Sequence, residues 1–340
     1  MPDLAGPQRT RLDFPHRIGR RPGARSLRKA RVMGCLVRLT GALLLLLAIA
    51  IAARRTLERA AAIPPPGPGE RDTVVDGVRW RSREAPGHGQ ETVVYLHGLF
   101  SSSATWKKVL ASAAGGRPAV AVDLPGFGYS DRPWPYDYTV GGEATALLRF
   151  LEVRGIERIA CVGSSLGGPV CLIAAAARPQ RVRALVLVDS ASPRSRVPWN
   201  FQLLRTPGVG ELEMELFTRP VIEIALRWRL YAHSDRVTAE TIDDWWTPIK
   251  VPGTRRAALV SVRSSSRGYE GLLERIRTPV LVLWGKEDRL LPPEEGFRLS
   301  SAIRDSRLLV LPDIGHLPQE EAPEEFSRAV RQFLDEAFRR

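Results

Sequence analysis

A serine between two glycines, set between a strand-like run and a helix-like run, constrains this chain more than any other feature. Ser165 lies in Gly163-Ser164-Ser165-Leu166-Gly167, a G-x-S-x-G pattern. The β-type run Arg158-Ile159-Ala160-Cys161-Val162 precedes it, and a helix-forming segment from Gly168 to Arg178 follows it. Small flanking residues let the chain turn sharply from strand to helix, which holds the serine in a strained conformation with its hydroxyl exposed at the sheet edge. The start of the following helix then offers the Leu166 N–H and a positive dipole end to a developing oxyanion.

A serine hydroxyl needs a base to take its proton, usually a histidine held in one tautomer by a carboxylate. The chain has five histidines: His16, His88, His97, His233 and His316. His316 follows the apolar run Leu309-Val310-Leu311 in a loop. Another buried-type strand, Val280 to Trp284, runs into a loop with Glu287 and Asp288. The order Ser165, Asp288, His316 therefore places nucleophile, acid and base in turn. Asp189, which ends the strand Ala184 to Val188, is a second candidate for the acid, and Glu287 competes with its neighbour. The other histidines have poorer contexts: a basic leader (His16), a Gly-flanked loop (His88), a strand-end turn (His97) and the lid described below (His233).

The strand Thr92 to Leu96 ends in His97-Gly98-Leu99-Phe100. The glycine lets the backbone approach the serine, and the Leu99 N–H is the expected second oxyanion donor, with Phe100 the alternative. His97 is expected to hydrogen-bond within its loop. Asp123 and Asp131 are expected to fix turns in the Gly/Pro-shaped loop from Asp123 to Pro133.

From about residue 72 onward the chain resembles the α/β-hydrolase fold superfamily, in its lid-bearing serine esterase/lipase-like branch. The likeness rests on the His-Gly loop, the D-L-P-G-F-G-x-S-D loop, the G-S-S-L-G-G elbow, the W-G-x-x-D acid loop and the G-H-x-x-x-x-E loop. It implies a triad of Ser165, Asp288 and His316, no cofactor, and an ester substrate. Ser165 stands where haloalkane dehalogenases and epoxide hydrolases carry aspartate, so those chemistries are disfavoured. Carbon–carbon hydrolases of ring-cleavage products are more similar, but Leu99-Phe100, Ser164 and Leu317 depart from their pattern. Carbon–carbon or lactone cleavage is therefore the alternative, and an idle hydrolase fold used as a ligand receptor is the alternative of another class. Fold alone does not choose among them.

Strand–helix alternation carries the body. Strands are expected at 92–96, 119–122, 158–162, 184–188, 279–284 and 307–311, after an opening hairpin at 72–81. Helices are expected near 103–113, 140–154, 166–178, 293–303 and 322–337. This predicts an α/β domain, with a mostly parallel eight-stranded sheet and helices on both faces. Leu212, Leu216 and Phe217, and then Val221, Ile222, Ile224, Ala225 and Trp228, fall at helical spacing, as expected of an inserted helical lid spanning about 195–272. It holds Trp199, Trp228, Trp245 and Trp246, half of the eight tryptophans. One or two of these are expected to line an acyl pocket, and the lid arginines, Arg229 among them, to be solvated.

The N-terminus reads separately. Residues 1–38 hold ten Lys/Arg against Asp3 and Asp13, a charge of +8 within a whole-chain +13. Residues 60–340 carry only +3, which argues against a nucleic-acid partner. The uncharged block Leu39 to Ala53 spans only ~22 Å at ~1.5 Å per residue, and extension back to Val32 makes it long enough to cross a bilayer. It reads as a transmembrane or signal segment over 39–55, either an uncleaved anchor or a cleaved leader with Met33 as an alternative start. Either reading puts the hydrolase domain outside the cytoplasm. A Pro/Gly linker at 56–71 and the domain at 72–340 complete the organisation. Cys161 and Cys171 are expected as buried thiols with no disulfide framework, and no cluster has metal-ligand spacing.

Overall fold

The computed structural model describes residues 62–193, 199–264, 269 and 271–339, together with Met33, Gly41, Leu45, Ile49 and Ile51. The chain divides into two compact units, Met1–Arg55 and Thr56–Arg340. In the first, the five described residues are helical. The expected basic leader and apolar segment otherwise lie outside the described residues, as does the linker up to Ala61. Among the described residues no helix is long and apolar enough to cross a membrane.

The second unit is built on an eight-stranded sheet: β1 Glu70–Val75, β2 Val78–Ala85, β3 Glu91–Leu96, β4 Ala119–Val122, β5 Arg158–Ser164, β6 Val182–Val188, β7 Val280–Gly285 and β8 Ser306–Leu311. Their spatial order is β1-β2-β4-β3-β5-β6-β7-β8. The hairpin strand β2 pairs antiparallel with β1 and β4, and every other pairing is parallel. Six of these strands match the expected runs to within two residues, and the hairpin extends further at both ends.

Alternate side chains of the strands enter two separate cores, as the period of two requires. Val94, Leu96, Cys161, Leu185, Leu187 and Val282 face α2 (Val140–Val153) and α3 (Gly167–Ala177). Val93, Tyr95, Ala160, Val162, Val186 and Leu283 face Trp106, α1 (Leu110–Ala114) and α11 (Pro323–Ala337). The 103–113 helix is not continuous. A 3-10 turn at Ser103–Trp106 precedes α1, because Ser102 caps the turn through the Ala104 N–H and Asp123 Oδ1 accepts the Ser103 N–H at 2.5 Å.

Between β6 and β7 the lid is helical, as expected: α4 Trp199–Arg205, α5 Val209–Leu216, α6 Arg219–Ala225, a single π turn at Leu226–Leu230, α7 Ala239–Ile249 and α8 Thr254–Ser264. The remaining helices, α9 Pro293–Ala302 and α10 Pro318–Glu321, follow β7 and β8.

The cysteines depart from expectation. Cys161 and Cys171 form a disulfide with Cα atoms 5.7 Å apart. The cause is the elbow itself. β5 runs into the turn and α3 returns over the same sheet face, so residues on either side of Ser165 meet in one core.

Candidate active site

Ser165 follows the end of β5 with φ +50°, a left-handed conformation that costs a non-glycine residue energy. The turn is held by backbone bonds. Ser165 N–H donates to Val188 O at 3.0 Å, and Ser165 O accepts from Gly168 N at 3.2 Å and Ala191 N at 3.1 Å. Two glycines make the turn possible. A Cβ on Gly163 would lie 2.4 Å from Gly167 O, and one on Gly167 would lie 2.5 Å from Leu96 O. The loop after β3 comes equally close, with the Gly98 Cβ position 3.0 Å from Ser165 Cβ.

His316 Nδ1–H donates to Asp288 Oδ2 at 2.6 Å. The carboxylate can only accept, so the proton is on Nδ1 and Nε2 carries the free lone pair. Asp288 Oδ1 is already taken by the N–H groups of Leu290 (2.7 Å) and Leu291 (2.9 Å). Asp288 is buried and Glu287 is exposed, which removes the competition between these neighbours.

Asp189 sits beside them rather than in place of Asp288. It is fully buried at φ +41°, and its Oδ1 accepts the Gly285 N–H at 2.9 Å. Burial, then the charge of Asp288, pushes its carboxyl well above the usual range. Asp189, Asp288 and His316 each offer an atom within 4.8 Å of the others. The 2.6 Å His316–Asp288 bond and the two backbone donors on Asp288 describe a hydrogen-bonded array, not an open coordination shell.

Ser165 and His316 line the same cavity, of about 550 Å³, between sheet and lid. No direct hydrogen bond joins their side chains among the described residues; such contacts often tighten only when substrate is bound. The cavity wall is mainly apolar, with Phe201, Leu204, Phe217, Ile222, Leu226 and Trp245 on it. Among the described residues, Trp228 and Trp245 reach it from the lid, whereas Trp246 packs against the core. Leu99 and Phe100 also line it. The N–H groups of Leu99, Phe100 and Leu166 have no hydrogen-bond partner among the described residues. Leu166 itself is not on the cavity wall, and its N–H stands at the start of α3.

His97 is structural, as expected. Its Nδ1–H donates to Gly98 O at 2.7 Å and its Nε2 accepts the Leu124 N–H at 3.1 Å, while burial holds its pKa down. Asp123 and Asp131 fix their loop by accepting the N–H groups of Tyr129 and Arg79.

Two acids beyond His316 bind the lid to the site, and only the second stood in a sequence motif. Glu320 accepts from Thr105 Oγ1, Tyr231 Oη (2.6 Å) and Trp245 Nε1 (3.3 Å), joining three segments. Glu321 accepts the N–H groups of Gly315 and Ala232, both at 2.8 Å. Burial raises the Glu321 carboxyl to about 7. His316 N–H also donates to Leu230 O in the π turn at 2.6 Å. The histidine loop and the lid are thus fastened together through backbone.

Three of the lid arginines form ion pairs at the solvent-exposed surface. Arg219 meets Asp243, Arg227 meets Glu223 and Arg263 meets Glu211. Arg267 lies outside the described residues.

Comparison with known proteins agrees with this architecture. A family model described as alpha/beta hydrolase fold matches residues 91–323. The chain belongs to this family, and hydrolase activity is the function that membership supports. It is 28% identical over 271 residues to an uncharacterized hydrolase, YugF, of Bacillus subtilis, covering 76% of this chain and 96% of the relative. It is 30% identical over 263 residues to a 2-hydroxy-6-oxononadienedioate/2-hydroxy-6-oxononatrienedioate hydrolase of Pseudomonas putida, covering 73% and 89%. A thermophilic esterase from Thermogutta terrifontis superposes with a TM-score of 0.67 at 25% identity, covering 79% of this chain and 98% of the esterase.

Proposed function

We propose that this hydrolase cleaves carboxylic esters with an apolar acyl part through an acyl-enzyme on Ser165. The observation that carries the reading is the pairing of a strained, cavity-facing Ser165 with a His316 whose Nδ1–H is already donated to buried Asp288. Ser165 Oγ attacks the ester carbonyl carbon while His316 Nε2 takes its proton. Asp288 keeps the ring in the required tautomer and stabilises the imidazolium. The oxyanion is held by the N–H groups of Leu99 and Leu166, left without internal partners. His316 then protonates the leaving alcohol, and a water, deprotonated by the same ring, releases the acid. The apolar wall supports the acyl assignment.

The test is turnover of p-nitrophenyl acyl esters. Ser165→Ala should fold normally and lose on the order of 10⁵–10⁶ in kcat. Wild-type rates from that variant would remove Ser165 from the chemistry. A fluorophosphonate probe should label the wild type on Ser165; absence of labelling would favour an idle fold.

Cleavage of a carbon–carbon bond with the same triad is the second reading, supported by the 30% identity to the Pseudomonas putida hydrolase. Ring-cleavage dienoates assayed beside a chain-length series of esters separate the two. For location, we infer an extracytoplasmic domain held or delivered by the apolar segment at 39–55. The Cys161–Cys171 disulfide supports this, since such bonds persist in oxidising compartments. Detection of the folded domain in the cytoplasm with free thiols would refute it.

A further inference from the structure

The cavity that holds Ser165 is not purely apolar. Arg229 lines it, and the Arg229 Nε is buried without a hydrogen-bond partner. No ion pair or hydrogen bond occupies its guanidinium among the described residues, unlike Arg219, Arg227 and Arg263 elsewhere on the lid. Glu213 lines the same cavity with a buried, unpartnered Oε2, yet no ion pair joins it to Arg229. Burial pushes the Glu213 carboxyl up from its ordinary value.

Arg229 is half-buried, with only its Nε shut off from solvent, and a cation that loses its remaining water to a bound ligand is costly unless the ligand supplies a partner. A wholly apolar substrate filling this cavity would strand Arg229. A substrate bearing an anionic oxygen group would satisfy it, and a guanidinium matches a carboxylate or phosphate in two parallel hydrogen bonds. Arg229 also occupies a telling place in the chain. It belongs to the π turn Leu226–Leu230, the kind of local irregularity that often marks functional positions. The next residue, Leu230, accepts the His316 N–H at 2.6 Å, so the turn that presents Arg229 is fastened to the histidine loop.

We propose that Arg229 is a specificity residue, and that the preferred substrates are amphiphilic esters carrying a carboxylate or phosphate away from the scissile carbonyl. This rests on the serine-ester reading above and narrows its substrate class. The apolar lining takes the chain, and Arg229 takes the charge.

The test compares matched ester pairs in the full-length protein. One arm uses p-nitrophenyl half-esters of four- to ten-carbon dicarboxylic acids against the same compounds with the far carboxyl methylated. The other uses 1-acylglycerol 3-phosphate against 1-acylglycerol. The wild type should favour the anionic member of at least one arm by about tenfold or more in kcat/KM, the size expected of one charge-assisted contact. The responding arm tells carboxylate from phosphate. Arg229→Met should abolish that ratio and Arg229→Lys should retain part of it, with Ser165 still titrated by diethyl p-nitrophenyl phosphate in both variants. A wild-type ratio near one in both arms overturns the proposal while the esterase reading stands. Retention of the preference in Arg229→Met overturns it as well. If the wild type hydrolyses neither member of any pair and Ser165 does not react with the phosphate triester, the esterase reading fails and the proposal falls with it.

Discussion

His316 Nδ1 and Asp288 Oδ2 stand 2.6 Å apart with both side chains shielded from solvent, and the two loops that carry them come from adjacent parallel strands, β7 and β8. The pairing follows from the sheet. Strands in register deliver their carboxyl-end loops to the same edge, so residues 28 positions apart in sequence meet with little loop to order. Ser165 arrives at that edge from β5, two strands away across β6.

Asp288→Asn should therefore reduce kcat by about 10³–10⁴ while leaving the fold intact. An amide oxygen can still accept from Leu290 and Leu291. An amide nitrogen facing the ring would instead donate to it and favour the wrong tautomer. Steady-state ester hydrolysis, with thermal unfolding as the control, measures both parts. An unchanged kcat would mean that neighbouring Asp189 is the orienting acid.

Gly163→Ala tests the elbow. The added methyl would sit 2.4 Å from Gly167 O and 2.7 Å from Gly168 N, contacts with backbone that no side-chain rotation can relieve. The expected loss is about 1–3 kcal/mol of stability, from overpacking alone, together with collapse of activity. Urea unfolding gives the first and ester turnover the second. Gly155→Ala is the contrasting control: its φ is +64° but its Cβ would meet nothing within 4 Å, so strain without collision should leave activity in place.

The parallel strands, the elbow and the Ser-Asp-His order were legible because each is local: an apolar run, a turn, and a residue at a strand end. The choice of Asp288 over Glu287 was a matter of burial, which adjacent acids do not advertise in sequence. The Cys161–Cys171 bond was missed because it depends on how strand and helix lie across the elbow, a relation absent from cysteine counting. Arg229 was missed for a similar reason. Several lid arginines look alike in sequence, and only three-dimensional packing turns one of them inward. Glu320 carries no signal at all until Thr105, Tyr231 and Trp245 are brought around it.

The disulfide should contribute to stability. Closing so short a loop in the unfolded chain is worth about 2–3 kcal/mol, and Cys161→Ala with Cys171→Ala should lose about that amount. A non-reduced digest should keep the peptides bearing residues 161 and 171 linked. Two free thiols at these positions in the native protein would contradict the pairing.

Glu321 makes the junction of lid and histidine loop sensitive to pH. Its carboxyl is raised from 4.5 to about 7 mainly by burial, opposed by the N–H groups of Ala232 and Gly315 and by the charge of Arg236. The folded state therefore holds this proton more tightly than the unfolded chain does. The linked stability is fully present below about pH 4.5 and is lost as the pH rises through 7. Other groups titrate in the same window, so the contribution must be isolated by difference. Glu321→Gln keeps an oxygen that can accept one backbone N–H but cannot ionise. The pH dependence of Tm in that variant, subtracted from the wild type, should show wild-type stability declining relative to the variant between pH 4.5 and 7. A flat difference across that range would mean that Glu321 titrates alike in the folded and unfolded chains.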